Sequence, residues 1–176
     1  MILAEPLEIL NNAQMSQADA LTVERGTAGF ELMSSAGEAI ARAVFDHFPN
    51  FRVLVLCGPG NNGGDGYVAA RLLKERGRHV TVASLKPLAE LKGDAAQAAA
   101  GWPGGVDRVE DIRPREGTLV IDALFGTGFR GDLPEHVAAL FGNIREMRLP
   151  VLALDIPSGV NGDTGAVDEN ALPAAM

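Results

Sequence analysis

Apolar positions along the chain alternate between a helical period and short unbroken runs. Across residues 14–48, Leu32, Met33, Ala36, Ile40, Ala41 and Val44 recur at helical spacing, predicting one helix that leads into a core. Residues 51–57 form a near-continuous β-branched and aliphatic run, the pattern of a strand covered on both faces, and the run stops at a glycine cluster. From Tyr67 to Glu75 the helical period returns through Val68, Ala69, Leu72 and Leu73, with Gly77 as the expected carboxyl-terminal cap. Residues 79–85 predict a second strand, and an alanine-rich helix follows over 90–100. A Pro/Gly break at residues 102–105 precedes a weak strand at 106–109. Residues 118–124 predict a strong strand, a helix is expected to begin near Pro134, and residues 150–156 predict the last strand.

Strands that alternate with helices of this length give a parallel sheet with helices on both faces. The expected fold is α/β: a three-layer, doubly wound, Rossmann-like and mainly parallel sheet in one domain spanning residues 1–176. From Asn161 onward the chain is rich in Gly, Asp, Ala and Pro and lacks a run that would finish another strand, so the sheet is expected to be cut short at its carboxyl-terminal edge.

Composition narrows the functional classes. With 47% apolar and 22% charged residues the chain is globular rather than disordered. A formal charge of -8 repels nucleic-acid backbones and anionic lipid, so neither nucleic acid nor membrane is expected as a partner. A phosphate-bearing ligand stays possible, because local amides can outweigh net charge. The single cysteine, Cys57, excludes an intrachain disulfide and suits a reducing compartment. The amino terminus lacks the basic start and apolar stretch of a signal peptide, and no window approaches a membrane span, so a cytoplasmic location is expected.

In open parallel sheets ligands bind beyond the carboxyl ends of the strands. Three such ends are rich in glycine and polar residues: 58–66, 126–132 and 155–163. Residues 58–63 match the dinucleotide pattern GxGxxG, yet the second strand ends Ser84-Leu85-Lys86, without the acid that would hold a ribose. Residues 126–131 fit the same pattern, which shows how permissive it is, and an ordinary Rossmann dehydrogenase is rejected. A phosphate-loop kinase would need a lysine where Tyr67 stands. The first segment does offer amides at a helix start, together with polar atoms of Asn61, Asn62 and Asp65 that a packing turn does not require.

Asp122 lies inside an apolar run, where a charge is costly unless a cation or several donors compensate it. Two readings stay open: a cation held by Asn62, Asp122, Ser158 and backbone carbonyls, or a carboxylate that caps loop amides. Asp155, Asp132 and Asp65 are candidate general acids or bases, although Asp132 could equally cap the helix near Pro134. Arg130 could meet a phosphate or be solvated. His47, His79 and His136 are scattered, which leaves little support for a triad or a zinc site.

Four blocks, 32–37 (LMSSAG), 57–66 (CGPGNNGGDG), 122–132 (DALFGTGFRGD) and 155–160 (DIPSGV), together resemble the NAD(P)H-hydrate epimerase family, the YjeF N-terminal domain. They stand in family order and are spread over nearly the whole chain. The resemblance implies an isomerase that interconverts the R and S forms of hydrated NADH and NADPH, a repair reaction that supplies the S form to a dehydratase. It implies that the hydrated nucleotide is bound by Asn61, Asn62, Gly63, Gly64 and Asp65, by Gly126, Thr127, Gly128, Phe129, Arg130, Gly131 and Asp132, and by Asp155. Asn62, Asp122 and Ser158 would bind a potassium ion. Asp155 or Asp132 is the expected acid/base.

The implied partner is NAD(P)H-hydrate dehydratase, fused to this domain in many bacterial members. A homodimer is expected because exposed sheet edges favour pairing. Family domains continue past the Asp163-Thr164-Gly165 segment for longer than this chain does, so the last elements are expected to be missing. The alternative function is a non-catalytic nucleotide-binding or scaffolding module. Asn62, Asp65, Asp122 and Asp155 speak against it, because such a module need not keep polar groups in an apolar setting.

Overall fold

The structure, a computed structural model, describes residues 10–174. Helices α1 (Asn12–Glu24) and α2 (Gly29–His47) occupy the stretch where the periodicity predicts one helix. The break is at Gly26, whose φ of +104° no right-handed helix accommodates. α1 opens on a capping box, Asn11 and Gln14 each accepting the other's backbone N–H at 2.9 Å, yet none of its residues is buried. α2 buries Met33, Gly37, Ala41 and Val44, the stripe expected of an amphipathic helix.

The remaining elements alternate as the pattern predicts. They are β1 (Arg52–Cys57), α3 (Asn61–Glu75), β2 (Val80–Ser84), α4 (Gly93–Ala100), β3 (Val106–Arg108), β4 (Thr118–Ala123), α5 (Glu135–Glu146) and β5 (Val151–Ala153). One correction bears on function: α3 begins at Asn61, so Asn61 to Gly66 form its first turns rather than a loop. Glycines are poor helix formers, but here close packing selects them. A Cβ on Gly63 would collide with the carbonyl of Gly58, so the helix can start directly against the strand end only with glycine at this position. Leu88–Glu90 is a separate 3-10 turn before α4, and Pro134 sits at the cap of α5 rather than inside it.

The sheet has the order β3-β2-β1-β4-β5 with every pair parallel. Along β1, Val53, Val55 and Cys57 face a core shared with α2, α3 and α4, while Leu54 and Leu56 face a core built with α5. That alternation produces the three layers. β2 and β4 flank β1 on opposite sides, so the topological switch lies between β1 and β4, where Cys57 pairs with Ala123. Beyond β5 the described chain makes an isolated antiparallel bridge, Val160 to Val167, and no sixth strand. Among the described residues no helix is long and apolar enough to cross a membrane.

Candidate active site at the carboxyl ends of β1, β4 and β5

The end of β4 carries a buried oxygen-rich niche. Asp122 is fully buried and Ser158 is 1% exposed. One carboxylate oxygen of Asp122 accepts the Ser158 backbone N–H at 2.8 Å; the other accepts the Ser158 hydroxyl at 2.6 Å and the Leu124 N–H at 3.3 Å. Burial pushes the Asp122 carboxyl up, and the bonds from Ser158 and Leu124 oppose that push. The capping role considered for Asp122 is therefore present.

The cation role is compatible with it. Asn62, on the first turn of α3, donates its Nδ2 to the Phe125 carbonyl at 2.9 Å, and the Phe125 N–H donates to Ser158 Oγ at 3.0 Å. That chain of bonds ties Asn62, Asp122 and Ser158 into one cluster. The Asn62 Oδ1 is buried and has no hydrogen-bond partner among the described residues. Such an orphaned acceptor ordinarily costs about 1–3 kcal/mol. Amide, carboxylate, hydroxyl and carbonyl oxygens are hard donors, so the residues present fit a potassium ion.

Above the niche, Asp155 follows β5 with φ of +60°, a strained left-handed conformation for a residue with a side chain. Its Oδ2 accepts the Thr127 N–H at 2.8 Å. Gly126 passes beneath it, where a Cβ would lie 2.5 Å from that same Oδ2 and 3.6 Å from the Asn62 Cβ. Asp155, Gly126 and Asn62 are thus in one place. Half-buried Asp65, in the first turns of α3, joins them: burial first, then the charges of Asp155 and Asp19, push its carboxyl up to about 7.

Asp19 escaped the reading of the sequence. It lies on α1, far from any strand end, and no local spacing signals its approach to Asp65. α1 is tethered over this region by Asn12, whose Nδ2 donates to Asp163 Oδ1 at 2.6 Å. Asp163 also pairs with Arg130. The Arg130 guanidinium donates to the carbonyls of Thr127 at 2.8 Å and Phe129 at 2.7 Å. Arg130 therefore clasps its own loop rather than projecting as a lone surface charge. Phe129 is buried against Phe125, with ring centroids 5.2 Å apart.

Most of the residues singled out from the sequence meet at this mouth. Gly60 caps α3 without a side chain, leaving the first-turn amides of Asn61, Asn62 and Gly63 as donors of the kind that bind anions. Gly64 is buried, while Gly128 and Gly131 are exposed on the rim. Asp132 is exposed, and no hydrogen bond or ion pair among the described residues ties it to the cluster. Nor does it cap α5. Asp168 accepts the Leu133 N–H at 2.9 Å just before that helix, and bonds from Leu133 and Asn170 hold its carboxyl below the usual range.

The assembly combines uncapped helix amides, an oxygen-rich niche and two carboxyl groups whose charges interact, Asp65 with its carboxyl raised to about 7. Known proteins are similar to this chain in sequence. The family described as YjeF-related protein N-terminus matches residues 29–176. The Coxiella burnetii bifunctional NAD(P)H-hydrate repair enzyme Nnr is 39% identical over 96% of this chain and 35% of its own length. The chain thus spans about a third of that relative. The NAD(P)H-hydrate epimerase of Rhodobacter capsulatus is 36% identical over 96% of this chain and 84% of its own length. A crystal structure of the yeast protein ynu0 superposes with a TM-score of 0.82 at 26% identity, covering 96% of this chain and 78% of that one. The chain belongs to the YjeF-related protein N-terminus family.

Proposed function

We propose that the chain is an isomerase that interconverts the R and S forms of hydrated NADH and NADPH. The observation that carries this reading is the gathering of Asp155, Gly126 and Asn62 at the uncapped start of α3, where burial and the charge of Asp155 raise the Asp65 carboxyl. The relatives named as NAD(P)H-hydrate epimerases support it.

The chemistry asks for one hydroxyl to leave the hydrated ring carbon and for water to return on the other face. The ring nitrogen stabilises the cation formed between those steps. Asp65, which keeps its proton near neutral pH, donates it to the departing hydroxyl. Asp155, held by the Thr127 amide, accepts a proton from the returning water, and proton exchange back to Asp65 restores the starting state. Asp65, one of the three carboxylates the sequence offered as acid or base, thereby takes the proton-donor role expected of Asp155 or Asp132.

The amides of Asn61 to Gly63 and the 126–131 loop hold the nucleotide. Asn62, Asp122 and Ser158 would hold a potassium ion, which when bound would supply fixed positive charge against the substrate's oxygens. The S form produced here would pass to an NAD(P)H-hydrate dehydratase in the cytoplasm, in some relatives on the same polypeptide, and two copies would associate as a homodimer.

Incubating the chain with one purified epimer in 18O-labelled water tests the reaction. The opposite epimer is expected to form carrying the label at the ring hydroxyl. Formation of unlabelled opposite epimer would overturn the route through loss and return of water, and no formation at all would overturn the function.

A further inference from the structure

At the opposite end of the sheet the same strands open onto a cavity of about 450 Å³. Leu54 and Ile112, from one core, and Thr81 and Thr118 are among the residues that line it. Arg52, His79, Arg113 and Arg115 surround it, all exposed. A smaller adjoining cleft shares His79 and adds Lys74 and Arg78. Five of the chain's fifteen lysines and arginines therefore border two neighbouring hollows in a protein of net charge -8.

The charges at this mouth are only partly offset from within, three arginines against two carboxylates. Asp107 and Asp111 also line the cavity, but among the described residues neither forms an ion pair with Arg52, Arg113 or Arg115. Elsewhere Arg71, Arg108 and Arg130 each pair with a carboxylate at hydrogen-bonding distance. Arg113 is held in place by the carbonyls of Glu110 at 3.0 Å and Ile112 at 2.8 Å, which orients its planar fork. Like charges gathered around a low-dielectric hollow raise its potential, and an anion relieves them. Guanidinium forks suit phosphate and carboxylate because both accept two parallel hydrogen bonds.

We infer that this cavity is a second ligand site, which takes a small organic anion: an apolar body seated on Leu54 and Ile112, which belong to one core, with a phosphate or carboxylate head among Arg52, Arg113 and Arg115. It is separate from the catalytic mouth. Arg52 and Thr118 begin β1 and β4, whereas the mouth lies past Cys57 and Ala123, roughly 17 Å further along the six-residue strands. The inference does not depend on the proposed epimerase activity. A ligand here would sit beneath the same two strands whose far ends carry Gly58 and Asp122.

Phenyl phosphate, a ring with a dianionic head, is a suitable probe, with inorganic phosphate and phenol separating head from body. In amide-resolved NMR titration of the whole chain, phenyl phosphate is expected to shift Arg52, Thr81, Arg113 and Thr118 while leaving Asn61 to Asp65 unmoved. Inorganic phosphate and phenol should each bind more weakly than the joined molecule. The double substitution R52Q/R115Q, on exposed side chains, should weaken binding roughly ten- to a hundredfold through loss of charged hydrogen bonds. R115Q alone provides the same test with a smaller loss should the double variant unfold. Shifts confined to Asn61–Asp65, no shifts at millimolar probe, or unchanged affinity in a folded variant would each overturn the site.

Discussion

Asp65 couples the proposed chemistry to stability, and the sign of that coupling can be worked out. Its carboxyl stands at about 7 in the folded protein against an ordinary 3.8, so between those values the native state holds a proton that the unfolded chain has released. The stability this contributes is complete below the ordinary value and is lost as pH rises through 7. Asp65→Asn keeps the shape without the titration. Thermal unfolding should show the variant more stable than the parent at pH 8 and equal to it at pH 4, and an unchanged difference across that range would remove the buried-acid account. The same substitution should slow epimerisation roughly 10²- to 10⁴-fold, the usual contribution of a positioned acid.

Ser158 offers a second test at this scale. Its hydroxyl joins Asp122 to the Phe125 amide, so Ser158→Ala should cost about 1–3 kcal/mol by chemical denaturation and raise the potassium chloride concentration needed for activity. Equal salt response in both proteins would argue against a cation in this niche. The polar cluster itself was legible in the sequence, because Asp122 interrupts a run that otherwise admits no charge. The partner of Asp65 was not, because Asp155 and Asp19 reach it only through the fold.

Among the elements, α1 and α3 depart most from their sequence patterns, for opposite reasons. Glycine content argues against helix at 61–66, and tertiary packing of Gly63 against Gly58 overrides that propensity. In α1 the helix forms on its capping box while burying nothing, so its apolar residues carry no information about a core. What α1 contributes is Asp19 beside Asp65. Asp19→Asn removes one of the charges that hold the Asp65 proton, so the limb of the pH–rate profile that reports Asp65 should move to lower pH. A profile superposable on the parent's would detach α1 from the site. α5 behaves as an ordinary core helix: Phe141 is fully buried, and Phe141→Ala should cost about 3–5 kcal/mol in urea unfolding, a large part of a typical domain's stability.

At the scale of the molecule, the alternation of strand and helix predicts the parallel doubly wound sheet because few other topologies satisfy right-handed crossovers. Strand order decides function more than strand identity does. With β4 beside β1, the three polar strand ends converge on one mouth, and Arg52, Arg113 and Arg115 gather at the other. A chain of net charge -8 thus presents an acid-lined candidate site at one end and an arginine-rich cavity at the other, a division that overall composition conceals.

The most direct measurement mixes the R form of hydrated NADH with a dehydratase that consumes only the S form, with and without this chain, in potassium buffer. Addition of the chain should speed consumption of the R form well beyond its spontaneous conversion, and Asp65→Asn or Asp155→Asn should abolish most of that gain. Consumption at the uncatalysed rate in the presence of the folded chain would contradict the assignment.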